Sequence, residues 1–188
     1  MEFIQRSKIK STTAFFFLIA MLCTAFVFWN ATRTGEESKA LSNSITDSIK
    51  DKIENENHVP PMLEGTDAIY SKDPQSEGEN QVSVNDYYLK IFVRKTAHLL
   101  EYTFLTFFLS LALVSYGIEK DKTFIIAFFY SAVISSFDEL IQSFTEGRSG
   151  RIKDVFIDIC GGIMGIFLAI CVCLLFYYWI KRLKNTPQ

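Results

Sequence analysis

The chain has 188 residues, of which 49% are hydrophobic, and its 19 basic and 21 acidic side chains give a net charge of −2. This near-balance gives no electrostatic basis for binding nucleic acid. The four cysteines all lie in apolar segments, in a pattern typical of small buried residues rather than a disulfide framework. Most apolar residues form four blocks, which predicts an all-α fold, an integral membrane bundle of four transmembrane helices with one long extracytoplasmic loop.

The first apolar block runs from about residue 12 to residue 29 and follows three basic residues. Secretory signals and permanent anchors share this arrangement. The block is long for a signal core, and it ends in Val27-Phe28-Trp29 rather than in small residues suited to cleavage. We therefore expect residues 1–29 to form a retained N-terminal transmembrane anchor.

Residues 30–86 contain prolines, glycines and many acids, with no apolar run long enough to span a bilayer. They are predicted to form an extracytoplasmic polar insert. Within it, Leu41, Ile45, Ile49 and Ile53 recur every four residues, which indicates a short amphipathic helix. We expect this helix to pack on the membrane surface or on its neighbours rather than to form a dedicated partner site.

Residues 87–188 are predicted to form a membrane domain of three transmembrane helices, at about 96–116, 123–144 and 155–180. The links between these helices are short, so the helices should be antiparallel neighbours in a compact bundle. Gly161 and Gly165, with Gly162 beside them, form a pattern of small residues that permits close helix approach.

Basic residues near both chain ends predict a multi-pass membrane protein with both termini in the cytoplasm. One link opposes this orientation, because it would place positive charge outside the membrane. This link joins the third and fourth predicted spans, and its basic residues are Arg148, Arg151 and Lys153. Positive charge there is easier to explain if these side chains have a functional or structural role.

In this topology the polar side chains of the last three helices gather at the outer end of the bundle. Charges at the bilayer centre cost about 2.5 to 3.5 kcal/mol each on insertion scales, so such a group needs pairing or a wet cavity. Each of these polar residues, taken singly, is explained as a member of a structural ion pair. Together they predict a functional site in the outer leaflet. The candidate ligand-binding residues are Arg94, His98, Glu101, Tyr102, Asp138, Glu139, Gln142, Arg148, Arg151, Asp154 and Asp158.

Two chemical roles fit this set. In a binding cavity, the arginines would hold a phosphate or carboxylate through forked hydrogen bonds. In an enzyme, a divalent cation would be held by carboxylate oxygens, and the catalytic candidates are His98, Glu101, Asp138 and Glu139. The chain contains no G-x-S-x-G, HExxH or Walker motif, so we assign no metal site and no cofactor from sequence.

The order of these residues resembles the VanZ-like family of bacterial membrane proteins. The matching motifs cover about half the chain and are Arg94-Lys95-x-x-His98-x-x-Glu101-Tyr102, Asp138-Glu139-x-x-Gln142, Gly147-Arg148 and Asp154-x-x-x-Asp158-x-x-Gly161-x-x-x-Gly165. Two positions depart from the family pattern: Asp158 stands where Asn is frequent and Glu146 where Pro is frequent. The resemblance implies a small multi-pass protein. The family's namesake is linked to low-level resistance to teicoplanin, a glycopeptide with a lipid tail, and no established enzymatic mechanism accompanies the resemblance.

The expected function is a contribution to glycopeptide or lipoglycopeptide resistance or to envelope maintenance, by binding a lipidated or anionic ligand in the outer-leaflet pocket. The expected partners are membrane lipid and either a lipoglycopeptide antibiotic or a cell-wall lipid precursor, with no nucleic acid. One alternative is an integral-membrane enzyme acting on a lipid or cell-wall-carrier headgroup. Another is a structural subunit in which the insert binds the partner. The sequence leaves the ligand and the oligomeric state open.

Overall fold

The computed structural model describes the backbone of residues 2–55 and 84–184 and the side chains of residues 11–52 and 88–184. The rest of the predicted insert, residues 56–83, lies outside the described residues. Over the described part the chain is all α-helical, as predicted, without a β-strand. The helices are α1 (Glu2–Ala31), α2 (Gly35–Asn55), α3 (Val84–Tyr116), α4 (Lys120–Phe144) and α5 (Ile152–Lys184).

Four of these helices are long and apolar enough to cross a membrane, which confirms the predicted number of spans. At about 1.5 Å per residue, even the 25-residue α4 extends about 37 Å, more than the roughly 30 Å of a hydrocarbon core. Many large apolar side chains on these helices are exposed, as expected where lipid is the solvent. The chain is a membrane protein, and its candidate spans are Ser11–Ala31, Tyr88–Tyr116, Lys120–Phe144 and Ile152–Lys184.

The chain divides into two compact units. The first comprises Met1–Gly35 and Thr96–Gln188, and the second comprises Glu36–Lys95. The second unit contains α2, which is the helix predicted from the four-residue repeat. Acidic residues in its first turn and Lys52 in its last turn complement the helix dipole. Leu41 is half-exposed on this helix, while the side chain of Ile53, the last in the repeat, is outside the described residues.

Glycines of α5 allow it to pack closely against α3 in the first unit. A Cβ atom at Gly161 would meet the carbonyl oxygen of Leu99, and one at Gly165 would meet the carbonyl oxygen of Thr103. Both obstacles are backbone atoms, which cannot rotate away as a side chain can. The close approach predicted from the glycine spacing is therefore confirmed.

Two threonines of α3 use this short distance to bond across to the α5 backbone. Thr103 Oγ1 donates to the Gly161 carbonyl oxygen at 3.0 Å, and Thr106 Oγ1 donates to that of Gly162 at 2.8 Å. Interhelical side-chain bonds of this kind contribute about 0.6 kcal/mol on average in a membrane bundle. On the α4 side, Gly162 faces the side chain of Ser131.

Helix α1 packs with α3 and α4 over the segment from Thr13 to Val27. The hydroxyl groups of Thr24 and Tyr130 lie 2.9 Å apart, and those of Thr13 and Ser115 lie 3.0 Å apart. Val27, near the end of α1, is buried in an apolar cluster with residues of α3 and α4. The first helix therefore forms one wall of the bundle.

Candidate functional site

Buried acidic groups lie at the end of the first unit where α4 ends and α5 begins. Asp138 is six residues before the end of α4, and Asp158 is six residues after the start of α5. Each therefore lies about 9 Å along its helix from the nearer end. Their exposed fractions are 1% and 0%, so both carboxyl groups are enclosed by protein.

His98 of α3 completes a compact cluster with these two acids. Its Nδ1 atom lies 3.9 Å from Asp138 Oδ2 and 3.8 Å from Asp158 Oδ1. One potential ligand atom from each of the three residues lies within 4.8 Å of the others. Two buried carboxylates at this distance need a compensating positive partner. The carboxylate cluster, defined here as His98, Asp138 and Asp158, is thus suited to a proton or a cation.

Neighbouring polar groups fix one oxygen of each carboxylate. Ser135 Oγ donates to Asp158 Oδ2 at 2.8 Å, and Gln142 Nε2 donates to Asp138 Oδ2 at 3.1 Å. The other oxygen of each acid, Oδ1, is buried without a hydrogen-bond partner among the described residues. The buried hydroxyl of Tyr102 lies beside Ser135 and Asp138. A carboxylate can accept about four hydrogen bonds, so the two acids retain unused acceptor capacity.

Glu139, next to Asp138 along α4, serves a different contact. The backbone N–H of Arg151 donates to Glu139 Oε2 at 2.6 Å. Because α5 starts at the next residue, this places a carboxylate at the positive end of the helix dipole. Glu139 therefore stabilises the start of α5, and the Arg151 side chain is exposed.

Asn30, at the end of α1, links the first helix to the site. Its Nδ2 atom donates to Glu101 Oε1 at 2.7 Å. Its carbonyl oxygen accepts a hydrogen bond from Arg148 Nη1 at 2.9 Å. Arg148 thus neutralises the carbonyl end of α1, and its charge also acts on Glu101 and Asp138. This contact gives Arg148, one of the positively charged residues of the α4–α5 link, a structural role.

Two further bonds tie the α4–α5 link to Ala31, at the end of α1, and to Gly35, which belongs to the same unit. Thr145 Oγ1 donates to the Ala31 carbonyl oxygen at 3.1 Å, and the Gly35 N–H donates to that of Glu146 at 2.9 Å. The link turns at Gly147, whose φ of 71° lies in the region that favours glycine. A Cβ atom at Gly35 would meet the Gly147 carbonyl oxygen, so the two segments touch through their backbones.

An open apolar groove of about 500 Å³ lies between α1 and α3. Leu22 and Phe26 line it from α1, and Leu100 and Phe104 line it from α3. Glu101 is the carboxyl group on its wall. Its Oε2 atom is buried and has no hydrogen-bond partner among the described residues. The groove therefore pairs an apolar surface with one buried carboxyl oxygen.

The family model described as VanZ/LLP1 matches residues 15–177. The chain belongs to the VanZ/LLP1 family. The match begins in α1 and ends in α5, so it extends beyond the motif-bearing part that carries the resemblance from Arg94 onward. No curated protein and no solved structure matches the chain at a significant level.

In this VanZ/LLP1 protein the predicted site residues fall into separate groups. His98, Asp138 and Asp158 form the carboxylate cluster, with Gln142 bonded to it. Glu101 belongs to the groove and to the contact with α1. Among the remaining candidates of the first unit, Arg148 bonds to α1, Glu139 bonds to Arg151, and Asp154 is half-buried in the first turn of α5. Arg94 belongs to the second unit.

Asn30 is a site residue that sequence reasoning missed. It is the first polar side chain after the apolar run of α1, and amides in that position are common without any role. The sequence feature that pointed toward this contact was the basic α4–α5 link, because its positively charged side chains require hydrogen-bond acceptors nearby. The acceptor is a backbone carbonyl, which no sequence motif identifies.

Proposed function

We propose that this VanZ/LLP1 protein lowers susceptibility to lipoglycopeptide antibiotics such as teicoplanin by binding a lipidated ligand at the membrane surface. It does so as a multi-pass protein of the bacterial cell membrane, with both termini in the cytoplasm and the carboxylate cluster near the outer surface. The observation that carries the proposal is the groove. An apolar groove with the Glu101 carboxyl group on its wall suits a lipid chain joined to a polar group.

The polar surroundings of Glu101 support the same ligand class. One oxygen of this carboxyl group is held by Asn30, and the other has no partner among the described residues. It can therefore accept a hydrogen bond from an amine or hydroxyl of the ligand. Arg148 contributes positive charge nearby, which suits an anionic headgroup. Apolar contact supplies most of the binding energy in such sites, and the few polar groups fix orientation.

A groove-filling substitution tests the proposal. Ala97 lines the groove and is exposed on α3, so Ala97→Trp should block a lipid chain. Ala14→Trp, at an exposed position of α1 that does not line the groove, is the matched control. We expect a gene-deletion strain complemented with Ala97→Trp to show the inhibitory concentration of the deletion strain for teicoplanin. The control should restore full protection at the same membrane level of protein.

Two outcomes would contradict this function. Equal inhibitory concentrations with and without the intact gene would remove the resistance role. Full protection by Ala97→Trp would separate protection from the groove. A glycopeptide lacking the lipid tail serves as the comparison drug, because its inhibitory concentration should not depend on the groove.

The carboxylate cluster favours a second candidate function, an integral-membrane enzyme acting on the headgroup of a lipid or cell-wall carrier. A histidine beside two buried carboxylates is an arrangement able to transfer a proton or to orient a reactive group. The test is incubation of purified protein with a lipid phosphate and divalent cations, followed by measurement of released phosphate. The enzyme should lose activity in His98→Gln. Unchanged lipid after incubation with wild-type protein would exclude this reaction.

A further inference from the structure

We propose that His98, Asp138 and Asp158 bind one divalent transition-metal ion. The three side chains come from three different helices, α3, α4 and α5, and offer one imidazole nitrogen and two carboxylate groups. Such a mixed nitrogen and oxygen set suits Zn²⁺ or Mn²⁺, whereas Mg²⁺ and Ca²⁺ favour oxygen ligands. The site deepens the second candidate function and rests on the same cluster.

The distances are close to those of a metal site. Ligand bonds of about 2.0 to 2.2 Å in a tetrahedral site place donor atoms roughly 3.4 Å apart. Asp158 Oδ1 lies 3.8 Å from His98 Nδ1, which exceeds this value by about half an ångström. For Asp138 the oxygen at 3.9 Å is Oδ2, which Gln142 also holds, so this carboxyl group must turn to present Oδ1. Small side-chain rotations of the two aspartates can close such a gap without moving their helices.

The unused carboxylate oxygens point independently to a ligand. Asp158 Oδ1 is buried without a hydrogen-bond partner among the described residues, and Asp138 Oδ1 is too, with the Tyr102 hydroxyl near enough to act on that carboxyl group. Both side chains are at least 99% buried. Buried polar atoms normally have partners, and each exception needs an explanation. A cation bound by these two oxygens supplies that explanation.

The charge of the cluster matches that of a divalent ion. Two ionised aspartates with a neutral histidine carry a charge of −2, which a divalent ion cancels. Burying an uncompensated carboxylate pair within a membrane bundle is costly. Ser135 and Gln142 hold the remaining oxygens, as groups around a metal typically orient its ligands. Three protein ligands also leave a coordination position for a water molecule or a headgroup oxygen.

Metal binding can be measured directly on the full chain in detergent. Chelator-treated protein is equilibrated with Zn²⁺ or Mn²⁺, and bound metal is counted by mass spectrometry. We expect about one ion per chain, lost in His98→Gln and in Asp158→Asn. Asp121→Asn, an exposed carboxylate in the first turn of α4, is the matched control and should bind as wild type does. Ser135→Ala should weaken affinity by about 10- to 100-fold.

A second measurement covers variants that fail to fold. Mn²⁺ bound to wild-type protein should show magnetic coupling to an imidazole nitrogen in pulsed electron paramagnetic resonance. Folded wild-type protein that binds no metal, or a bound ion without nitrogen coupling, would overturn the assignment. Phosphate release from the lipid by wild-type protein that binds no metal would contradict the metal site alone, whereas metal binding without phosphate release would contradict the second candidate function alone. Metal binding without protection would contradict the resistance function alone.

Discussion

Substituting Gly165 by alanine should measure how strongly the bundle depends on contact between α5 and α3. The new Cβ atom would meet the Thr103 carbonyl oxygen and the Thr106 hydroxyl. Overpacking costs about 1 to 3 kcal/mol. The cost of Gly165→Ala should be about 3 kcal/mol, because the backbone of Thr103 cannot rotate away. Displacing the Thr106 hydroxyl removes its bond to α5, worth about 0.6 kcal/mol, while alanine regains about 1 kcal/mol of helix propensity. The net loss is therefore about 2.6 kcal/mol.

This loss should lower the apparent melting temperature in detergent by about 5 to 10 °C, since about 1 kcal/mol shifts a chain of this size by 2 to 4 °C. The measurement is the fraction of monodisperse protein left after heating. Cys160→Ala, at an exposed position of the same helix, should leave the midpoint unchanged. A wild-type midpoint for Gly165→Ala would refute the close packing of the two helices.

A compensating pair separates steric overlap from other effects of adding a methyl group. At Gly162 the obstacle is the side chain of Ser131, so Gly162→Ala should be destabilising alone and recover when combined with Ser131→Gly. The coupling energy should lie in the range of about 0.5 to 3 kcal/mol seen for contacting residues. No side-chain change can relieve Gly165→Ala in this way, because part of its obstacle is the backbone of Thr103.

Two further predictions concern the contacts of α1. Arg148→Met should destabilise the protein by about 1 to 2 kcal/mol, because the Asn30 carbonyl loses a charged donor. The measurement is the chemical-denaturant midpoint, and the midpoint of Arg148→Lys should lie between those of wild type and Arg148→Met. The Thr24 and Tyr130 hydroxyls should show a coupling of about 0.6 kcal/mol in a double-mutant cycle of Thr24→Val and Tyr130→Phe. Additive effects in that cycle would mean that the hydroxyl contact contributes nothing.

The spans were predictable because a run of about 20 apolar residues is visible directly in sequence. The glycine contacts were also predictable, since small residues four apart on a helix form a flat strip where another helix can approach. The structure confirms both, with Gly161 and Gly165 against the α3 backbone. Helix α3 starts at Val84, before the apolar run, close to the N-cap that Asn85 and Asp86 predict, because polar residues can extend a helix beyond the bilayer.

The composition of the carboxylate cluster could not be read from the sequence. Asp138 and Glu139 are adjacent acids, and neighbours on a helix point about 100° apart. Which of them faces His98 depends on how α4 is rotated about its axis, and packing against α5 determines that rotation. In the structure Asp138 faces inward to the cluster, and Glu139 bonds to the start of α5.

The order in which the helices are made has a consequence for biosynthesis. Asp138 is synthesised 20 residues before Asp158, so α4 is complete while α5 is still being made. During that interval the Asp138 carboxyl group lacks part of its final surroundings, which raises the cost of holding it in the membrane. We therefore expect chains that terminate before α5 to be recognised as defective and degraded by membrane quality control.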